Sequence, residues 1–479
     1  MSWSPRARPR LILGALSVAG FSYAISQTML IPALPAVEGA FSATPSEATM
    51  LMTAFWVSGA VTAGIFGRLG DMFGKRLIIL LLVGLFSLGA LVCAVAPTLL
   101  VMIGGRVLMG CGVGLFPLAF ALIRDAFPPQ RVTSSIALLA GLVAGGAAVG
   151  QSIGGLVADH LGFRSIFWVA LAFGLISLVA LVAFVPESPI RTGGRVDASG
   201  AALLAVGIAT PLIAVAEAPT WGWGTPRTIA LLLIGGLVLA LFVRLELRTR
   251  EPLIDIPTLL LPRVRLTNAA TLFVGFGFFG FSAILSQFFQ EPTSTGYGPG
   301  ANATQAGLYL VPGLLVFGVA SPLAGVLSNR VGAVITFRLG IVVCTAGVAA
   351  MTISHSHPFE LYLWPAVMYL GTGATFGAMP TIVLQSVPAD KSGQSSGINM
   401  IIRSTGSAVG VQLAAMLITM SVGRSGMPTE AGYTAAFALA TGAGVAALAL
   451  ALAIPRQLTP AAEPAPVRLA PSAGTAPPR

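Results

Sequence analysis

Chemistry has few places to reside in this sequence. Of 479 residues, 16 are acidic, 26 are Lys or Arg, three are His and three are Cys. Each acid falls in a loop or near the end of an apolar run, so none offers a carboxylate deep in an apolar environment. Cys93, Cys111 and Cys344 lie singly inside apolar runs, while His160, His355 and His357 lie between them, which spells neither a disulfide framework nor a metal-ligating set. No GxxxxGK[ST] phosphate loop occurs, so direct nucleotide drive is not indicated. What remains is charge in costly places. Asp71 stands in GRLGDMFGKR (67–76) beside Arg68, Lys75 and Arg76. A carboxylate there can hold a basic cluster or meet the positive end of a helix, typically for about 0.3–1 kcal/mol. Arg106 lies inside an apolar run, where a charge costs at least about 2.5–3.5 kcal/mol on insertion scales. It is read either as a functional cation or as a side chain snorkelling to the interface, and Arg403 admits the same two readings.

The elements that position these groups follow from composition. The chain is 56% hydrophobic and only 9% charged, with a mean hydropathy of +0.90. Soluble domains carry about 25% charged residues; this chain needs a bilayer. A membrane span takes about 20 apolar residues. Fourteen such stretches are expected: 11–34, 47–67, 77–97, 99–123, 132–157, 165–185, 198–216, 228–246, 267–289, 304–327, 333–353, 360–386, 394–420 and 432–454. The basic MSWSPRARPR start followed by an apolar run is read as an uncleaved first helix. With the N-terminus inside, only Arg164, Arg227 and Arg424 face outward and Arg106 lies within a span, leaving 22 of the 26 basic residues inside. That asymmetry places both termini in the cytoplasm and accounts for the net charge of +10 without nucleic acid. The loop 247–266 is expected to lay its apolar part along the membrane surface.

The two halves repeat. Gly67, Leu69, Asp71 and Gly74 match Gly325, Leu327, Asn329 and Gly332. PPQR (128–131) matches PADK (388–391), and Gly146 and Gly150 match Gly406 and Gly410 at nearly the same offset. The fold class expected is an all-α integral membrane protein with two six-helix bundles related by a pseudo-two-fold repeat, plus two additional helices. The boundaries are 11–190 for the first bundle, 191–250 for the inserted pair, 251–455 for the second bundle and 456–479 for a disordered cytoplasmic tail. Within the fifth span, AGGAAVGQSIGG (144–155) sets Gly146, Gly150 and Gly154 on one stripe, with Gln151 and Gly155 beside it. Such a smooth stripe allows close backbone approach. It serves either as plain packing or as a face across which the bundles meet and part.

These motifs resemble the major facilitator superfamily, in its fourteen-helix branch of drug:proton antiporters, over residues 10–455. GRLGDMFGKR resembles the loop signature between the second and third helices. RVLMGCGVG (106–114), with Arg106, Gly110 and Gly114, resembles the basic motif of helix 4. GAAVGQSIGG (146–155) resembles the exporter motif of helix 5, and SQTMLIPALP (26–35) the first-helix pattern. The resemblance implies bundles rocking about a central cavity, a loop that latches the cytoplasmic side, the proton gradient as energy source, and no cofactor. Three departures stand out: Ser26 replaces Asp, Gln151 replaces Pro, and Met72 replaces an Arg common among relatives.

Proton coupling is therefore expected without a mid-membrane carboxylate, the surviving proton-site candidates being Glu38, Glu47 and Glu291 near outer span ends. Cavity candidates are Tyr23, Ser26, Gln27, Trp56, Phe278, Gln287, Tyr309, Tyr369, Asn399, Arg403 and Gln412. The function expected is export of hydrophobic or amphiphilic small molecules by a monomer in the bacterial cytoplasmic membrane. Neutral or weakly acidic cargo is favoured over dications, because Arg106 faces no buried acid. The alternative is a facilitator or lipid transporter without proton antiport. An intramembrane enzyme would need His, Asp, Glu or Cys clustered in the spans, and none is.

Overall fold

The structure, a computed structural model, describes residues 9–43, 45–188, 197–249, 252–301, 303–355, 357–388, 391–422 and 427–455. The expected tail 456–479 lies outside them. No strand occurs among the described residues. The first six long helices are α1 (Pro9–Thr28), α2 (Pro45–Phe73), α3 (Lys75–Val95), α4 (Leu99–Ala126), α5 (Pro129–Leu161) and α6 (Arg164–Phe184). Next come α7 (Ala198–Trp221) and α8 (Pro226–Glu246). The last six are α9 (Pro262–Gln290), α10 (Ala303–Val331), α11 (Ala333–Ile353), α12 (Pro358–Gln385), α13 (Ser392–Met420) and α14 (Glu430–Leu452). Among the described residues, 13 helices are long and apolar enough to cross a membrane. The 33-residue α5 is the remaining long rod.

Two expected spans are interrupted. Hydropathy predicts a continuous first span over 11–34, but α1 ends at Thr28, followed by a 3-10 turn (Ile31–Ala33) and a short helix (Leu34–Phe41). Pro32 and Pro35 supply no backbone N–H and favour helix starts over helix interiors. The fourth span passes through a 3-10 turn at Cys111–Gly114. The expectation for the 247–266 loop is also corrected. Leu253 and Ile254 are buried rather than laid on the surface, and the Leu253 carbonyl accepts from Gln394 Nε2 at 2.5 Å, while Leu260 and Leu261 of the same loop stay exposed.

The repeat is visible in the packing. In the first bundle α1 packs on α5 and α6, α3 on α4 and α6, and α2 on α4. In the second, α9 packs on α13 and α14, α11 on α12 and α14, and α10 on α12. Each pairing recurs eight helices later. The inserted α7 and α8 pack on each other, and α7 leans on both α2 and α13. Along α8, Leu233 and Leu237 are 68% and 73% exposed, an apolar outer face of the kind lipid requires.

The glycine stripe proves to be an internal seam of one bundle. A Cβ on Gly146 would stand 3.0 Å from the Phe21 carbonyl oxygen, and those on Gly150 and Gly154 would overlap the carbonyls of Ile25 and Met29. Gly146 and Gly150 therefore face α1 and Gly154 the turn that follows it, with Thr28 Oγ1 donating to the Ala147 carbonyl at 2.6 Å across the same contact. The repeat-related Gly406 and Gly410 likewise meet the Leu272 and Phe276 carbonyls of α9. The stripe thus does not join the bundles, which corrects the reading that they meet and part across it. Gly150→Val is expected to destabilise the first bundle by about 1–3 kcal/mol, as overpacking does, seen as a lower unfolding midpoint in detergent. The surroundings of Gln151 and Gly155 lie outside the described residues.

Candidate functional site

The two bundles meet on the side that carries most of the arginines. Here α2 runs to Phe73, so Asp71 is in a helix and not, as expected, in a loop; Gly74 alone connects α2 to α3. That connection needs φ = +115°, a region only glycine enters without strain. The tight turn drives Lys75 back under α2, and both Asp71 and Lys75 are buried. Lys75 Nζ stands 3.3 Å from Asp71 Oδ1 and 2.8 Å from Asp125 Oδ2, and Ser188 Oγ donates to the latter oxygen at 2.6 Å. Glu187 accepts from the backbone N–H groups of Arg76 and Leu77 at 3.0 and 3.3 Å, filling the free donors of the first turn of α3. Sequence reasoning missed Asp125, Ser188 and Glu187, because only folding brings the ends of α4 and α6 to this turn. The Arg76 guanidinium donates to the Val182 carbonyl, whereas Arg68 lies partly exposed on α2.

Asp71 also reaches across to the other bundle. Its carboxylate accepts from Gly393 N at 3.3 Å and Gln394 N at 3.1 Å, two donors in the first turn of α13, where the helix dipole favours negative charge. Both readings of Asp71 thus hold geometrically: it pairs with a lysine and caps a helix. The approach requires bare backbone. A Cβ on Gly67 would come within 2.6 Å of the Gly393 carbonyl oxygen, and one on Gly397 would overlap the Ala63 carbonyl. Arg124 adds a further tie, donating to the Val387 carbonyl at 2.8 Å.

The repeat supplies a second seam, between α5 and α10. Ser321 Oγ donates to the Ala137 carbonyl at 2.8 Å, and Asn329 Nδ2 donates to the Gln130 carbonyl at 3.2 Å. Asn329 is the repeat partner of Asp71. Where Asp71 accepts from a helix start with a charge, Asn329 donates without one. All these ties lie at the arginine-rich ends of the helices. Just outside the spans, Asp255 pairs with Lys391 at the start of α13. Burial raises the Asp255 carboxyl, but hydrogen bonds from Lys391 and Thr258 outweigh it and hold the group below the usual carboxylate range. A carboxylate lowered on folding stabilises fully above its unfolded value and loses that contribution as pH falls through the folded one. The contribution of this tie is therefore expected to be full above the ordinary carboxylate range and to fade as pH falls below it, measured as the loss at acid pH of the difference in unfolding midpoint between the wild type and Asp255→Asn.

Arg106 neither snorkels nor lines the space between bundles. It is fully buried in the first bundle, with its guanidinium 4.1 Å above the Phe55 ring, and Nε donates to the Leu51 carbonyl at 3.2 Å. Gly110 lets α4 approach α2 closely, since a Cβ there would stand against Phe55 and Ser58; Gly114 ends the 3-10 turn. Tyr23, expected in the cavity, is instead stacked on Phe55 with ring centroids 5.4 Å apart, and Ser26 donates to the Ser22 carbonyl of its own helix. Both are buried inside the bundle. In the second bundle Phe278 and Tyr369 form an edge-on aromatic pair, and Tyr369 shares a hydrogen bond with Ser282. Tyr309 sits between Phe289 and Tyr362. Phe278 and Tyr369 are buried in the core of this bundle, and Tyr309 is half-buried against it.

Two sequence candidates do meet between the bundles. A small pocket is lined by Pro117 and Phe120 of α4, Met379, Pro380 and Val383 of α12, and Ser396, Asn399, Met400 and Arg403 of α13. Arg403 stays in this pocket rather than snorkelling, its guanidinium 4.8 Å from the Phe376 centroid. Asn399 Nδ2 donates to Asn268 and Thr271 at 2.8 and 3.1 Å. Toward the opposite side, Trp56 is 39% exposed, Gln287 is exposed, and Gln27 and Gln412 are half-buried. Of the proton-site candidates, Glu38 is half-buried on the short helix after α1, and Glu47 is exposed in the first turn of α2. Glu291 accepts from Tyr433 Oη at 2.6 Å. The first two belong to one bundle and the third to the other. His355 lies in the loop after α11, as the sequence leads one to expect, but it is buried there with Nε2 3.1 Å from Glu430.

The Major Facilitator Superfamily profile matches residues 16–411, with a second match over 267–476. The chain is 29% identical over 404 residues to the multidrug resistance protein Stp of Mycobacterium tuberculosis, covering 84% of this chain and 74% of that protein. It is 27% identical over 426 residues to the tetracenomycin C resistance and export protein of Streptomyces glaucescens, covering 87% and 77%. To the drug efflux pump JefA of Mycobacterium tuberculosis it is 28% identical over 429 residues, covering 87% and 82%. Among solved structures, the human organic anion transporter MFSD10 superposes with a TM-score of 0.67 at 16% identity, over 94% of this chain and all of that one, a likeness of fold alone. With a profile match spanning both of its repeated bundles, the chain belongs to the Major Facilitator Superfamily.

Proposed function

We propose that this protein is a secondary-active exporter of hydrophobic or amphiphilic small molecules, working by alternating access as a monomer in the bacterial cytoplasmic membrane, in the fourteen-helix drug:proton antiporter branch. The observation that carries this reading is the junction of Asp71 with the start of α13, a charged clamp between bundles confined to one end. On this reading the structure is the conformer closed toward the cytoplasm, and transport requires Asp71 to leave the helix start. The names of the relatives, resistance and export proteins, supply the direction and the cargo class. The proton gradient is the proposed energy source.

A second reading has its own support. The acids on the described long helices lie within about a turn of a helix end, so no carboxylate occupies the middle of a span there. A facilitator needs none. Proteoliposomes loaded with a panel of amphiphilic dyes, assayed with and without an imposed pH gradient, separate the two. Net movement against the dye gradient, dependent on the pH gradient, is expected; equilibration alone under both conditions rejects proton antiport.

A further inference from the structure

We infer that Arg403 is the anion-binding residue of the cargo site, and that the preferred cargo is an amphiphile with a carboxylate or sulfonate beside an apolar body. The inference rests on the export reading above. Arg403 is the twelfth residue of the 29-residue α13, about 16 Å along the helix from its start at 1.5 Å per residue. That depth is inside the bilayer, where a cation is retained at a cost and marks a substrate path. Its only aromatic neighbour in cation–π range among the described residues is Phe376, and no Asp or Glu lines the pocket it occupies. Stacking on a ring engages the face of the guanidinium; at its edge one Nη2 N–H points at Met400 Sδ, a weak acceptor that a planar oxyanion would displace, and the fork of N–H groups matches such an anion in bidentate fashion.

The rest of the pocket suits the same ligand. Ser396, one helical turn below Asn399, is 7% exposed with its hydroxyl lacking a hydrogen-bond partner. It points to a missing acceptor. Asn399 spends its amide donors on Asn268 and Thr271, which fixes its orientation. Phe120, Met379 and Met400 supply the apolar wall, and Phe120 comes from the opposite bundle. A bound anion would therefore touch both bundles and feel their separation. Arg106 does not compete for this role, because its guanidinium is enclosed within the first bundle by Phe55 and the Leu51 carbonyl.

Three probes sharing one fluorophore test the inference in proteoliposomes: dansylglycine, its neutral amide and the permanent cation dansylcholine, each corrected for leakage into empty liposomes. Wild-type protein is expected to move dansylglycine fastest. Arg403→Gln is expected to slow dansylglycine by about tenfold or more, the scale of a lost charged hydrogen bond, and to leave the amide unchanged. Arg403→Lys keeps the charge without the fork and is expected to fall between. Equal slowing of all probes in Arg403→Gln marks a structural role and overturns the inference, as does wild-type preference for dansylcholine. Either of those results leaves the export reading intact; movement of no probe by the wild type overturns both.

Discussion

Gly397→Val is expected to abolish transport and to open the arginine-rich side of the protein. The added Cβ would overlap the Ala63 carbonyl across the α2–α13 seam, and backbone cannot swing away as a side chain tip can. Overpacking of this kind costs about 1–3 kcal/mol. At about 1.4 kcal/mol per decade, that is a shift of roughly tenfold to hundredfold toward the state in which the seam is parted. The strain has an escape here that it lacks elsewhere. On the alternating-access reading proposed above, the two bundles separate along α2 and α13, whereas α1 and α5 pack within one bundle and part only if it unfolds. Gly150→Val, with a similar overlap on the Ile25 carbonyl, is thus the matched control. With Ser396→Cys as reporter in a background lacking the native cysteines, an impermeant maleimide added from the arginine-rich side should label Gly397→Val faster by that factor. Gly150→Val should label as the parent does but melt earlier. Equal labelling of the two variants would show that the α2–α13 contact is not a separable seam.

Lys75→Met is expected to be the most destabilising single change at the junction. It leaves Asp71 and Asp125 buried near one another with their shared cation gone. Removing one partner from a buried ion pair typically costs about 3–5 kcal/mol, since the remaining charge is neither hydrated nor paired. The helix start at Gly393 and Gln394 offsets part of the charge on Asp71, whereas Asp125 would keep the Ser188 hydroxyl. The sharper test is therefore the double variant. Lys75→Met with Asp125→Asn is expected to regain much of the lost thermal stability, giving a coupling well above the roughly 0.3–0.5 kcal/mol seen for independent sites. An unchanged unfolding midpoint in Lys75→Met, or additive effects in the pair, would mean that the cluster is solvated and carries no strain.

Much of this architecture is legible from patterns that a chain cannot hide. Runs of about 20 apolar residues must become helices in lipid, because hydrocarbon offers the backbone no other partner. Arginines then orient the helices, and the recurrence of Gly67, Asp71, Gly146 and Gly150 with their partners marks the duplication. Local sequence signals at proline were available as well. Pro32 and Pro35 announce the end of α1 that a hydropathy reading smooths over.

What a glycine or an arginine faces is another matter. The stripe at 146, 150 and 154 tells that some backbone comes close, and only the fold says that it is α1 rather than the other bundle. The seam glycines 393 and 397 carry no distinguishing pattern of their own, since a glycine spacing is identical whether its partner is fixed or leaves. Likewise Arg106 and Arg403 are both single cations in apolar runs; folding seals one over Phe55 inside a bundle and sets the other between bundles beside Phe376. Sequence alone determined that this is a duplicated helical membrane protein with charge concentrated at one side, because lipid imposes those rules on each segment separately. Tertiary structure decided which close contacts join the bundles and which cation meets the space between them, because a side chain's partner depends on helices distant in the chain.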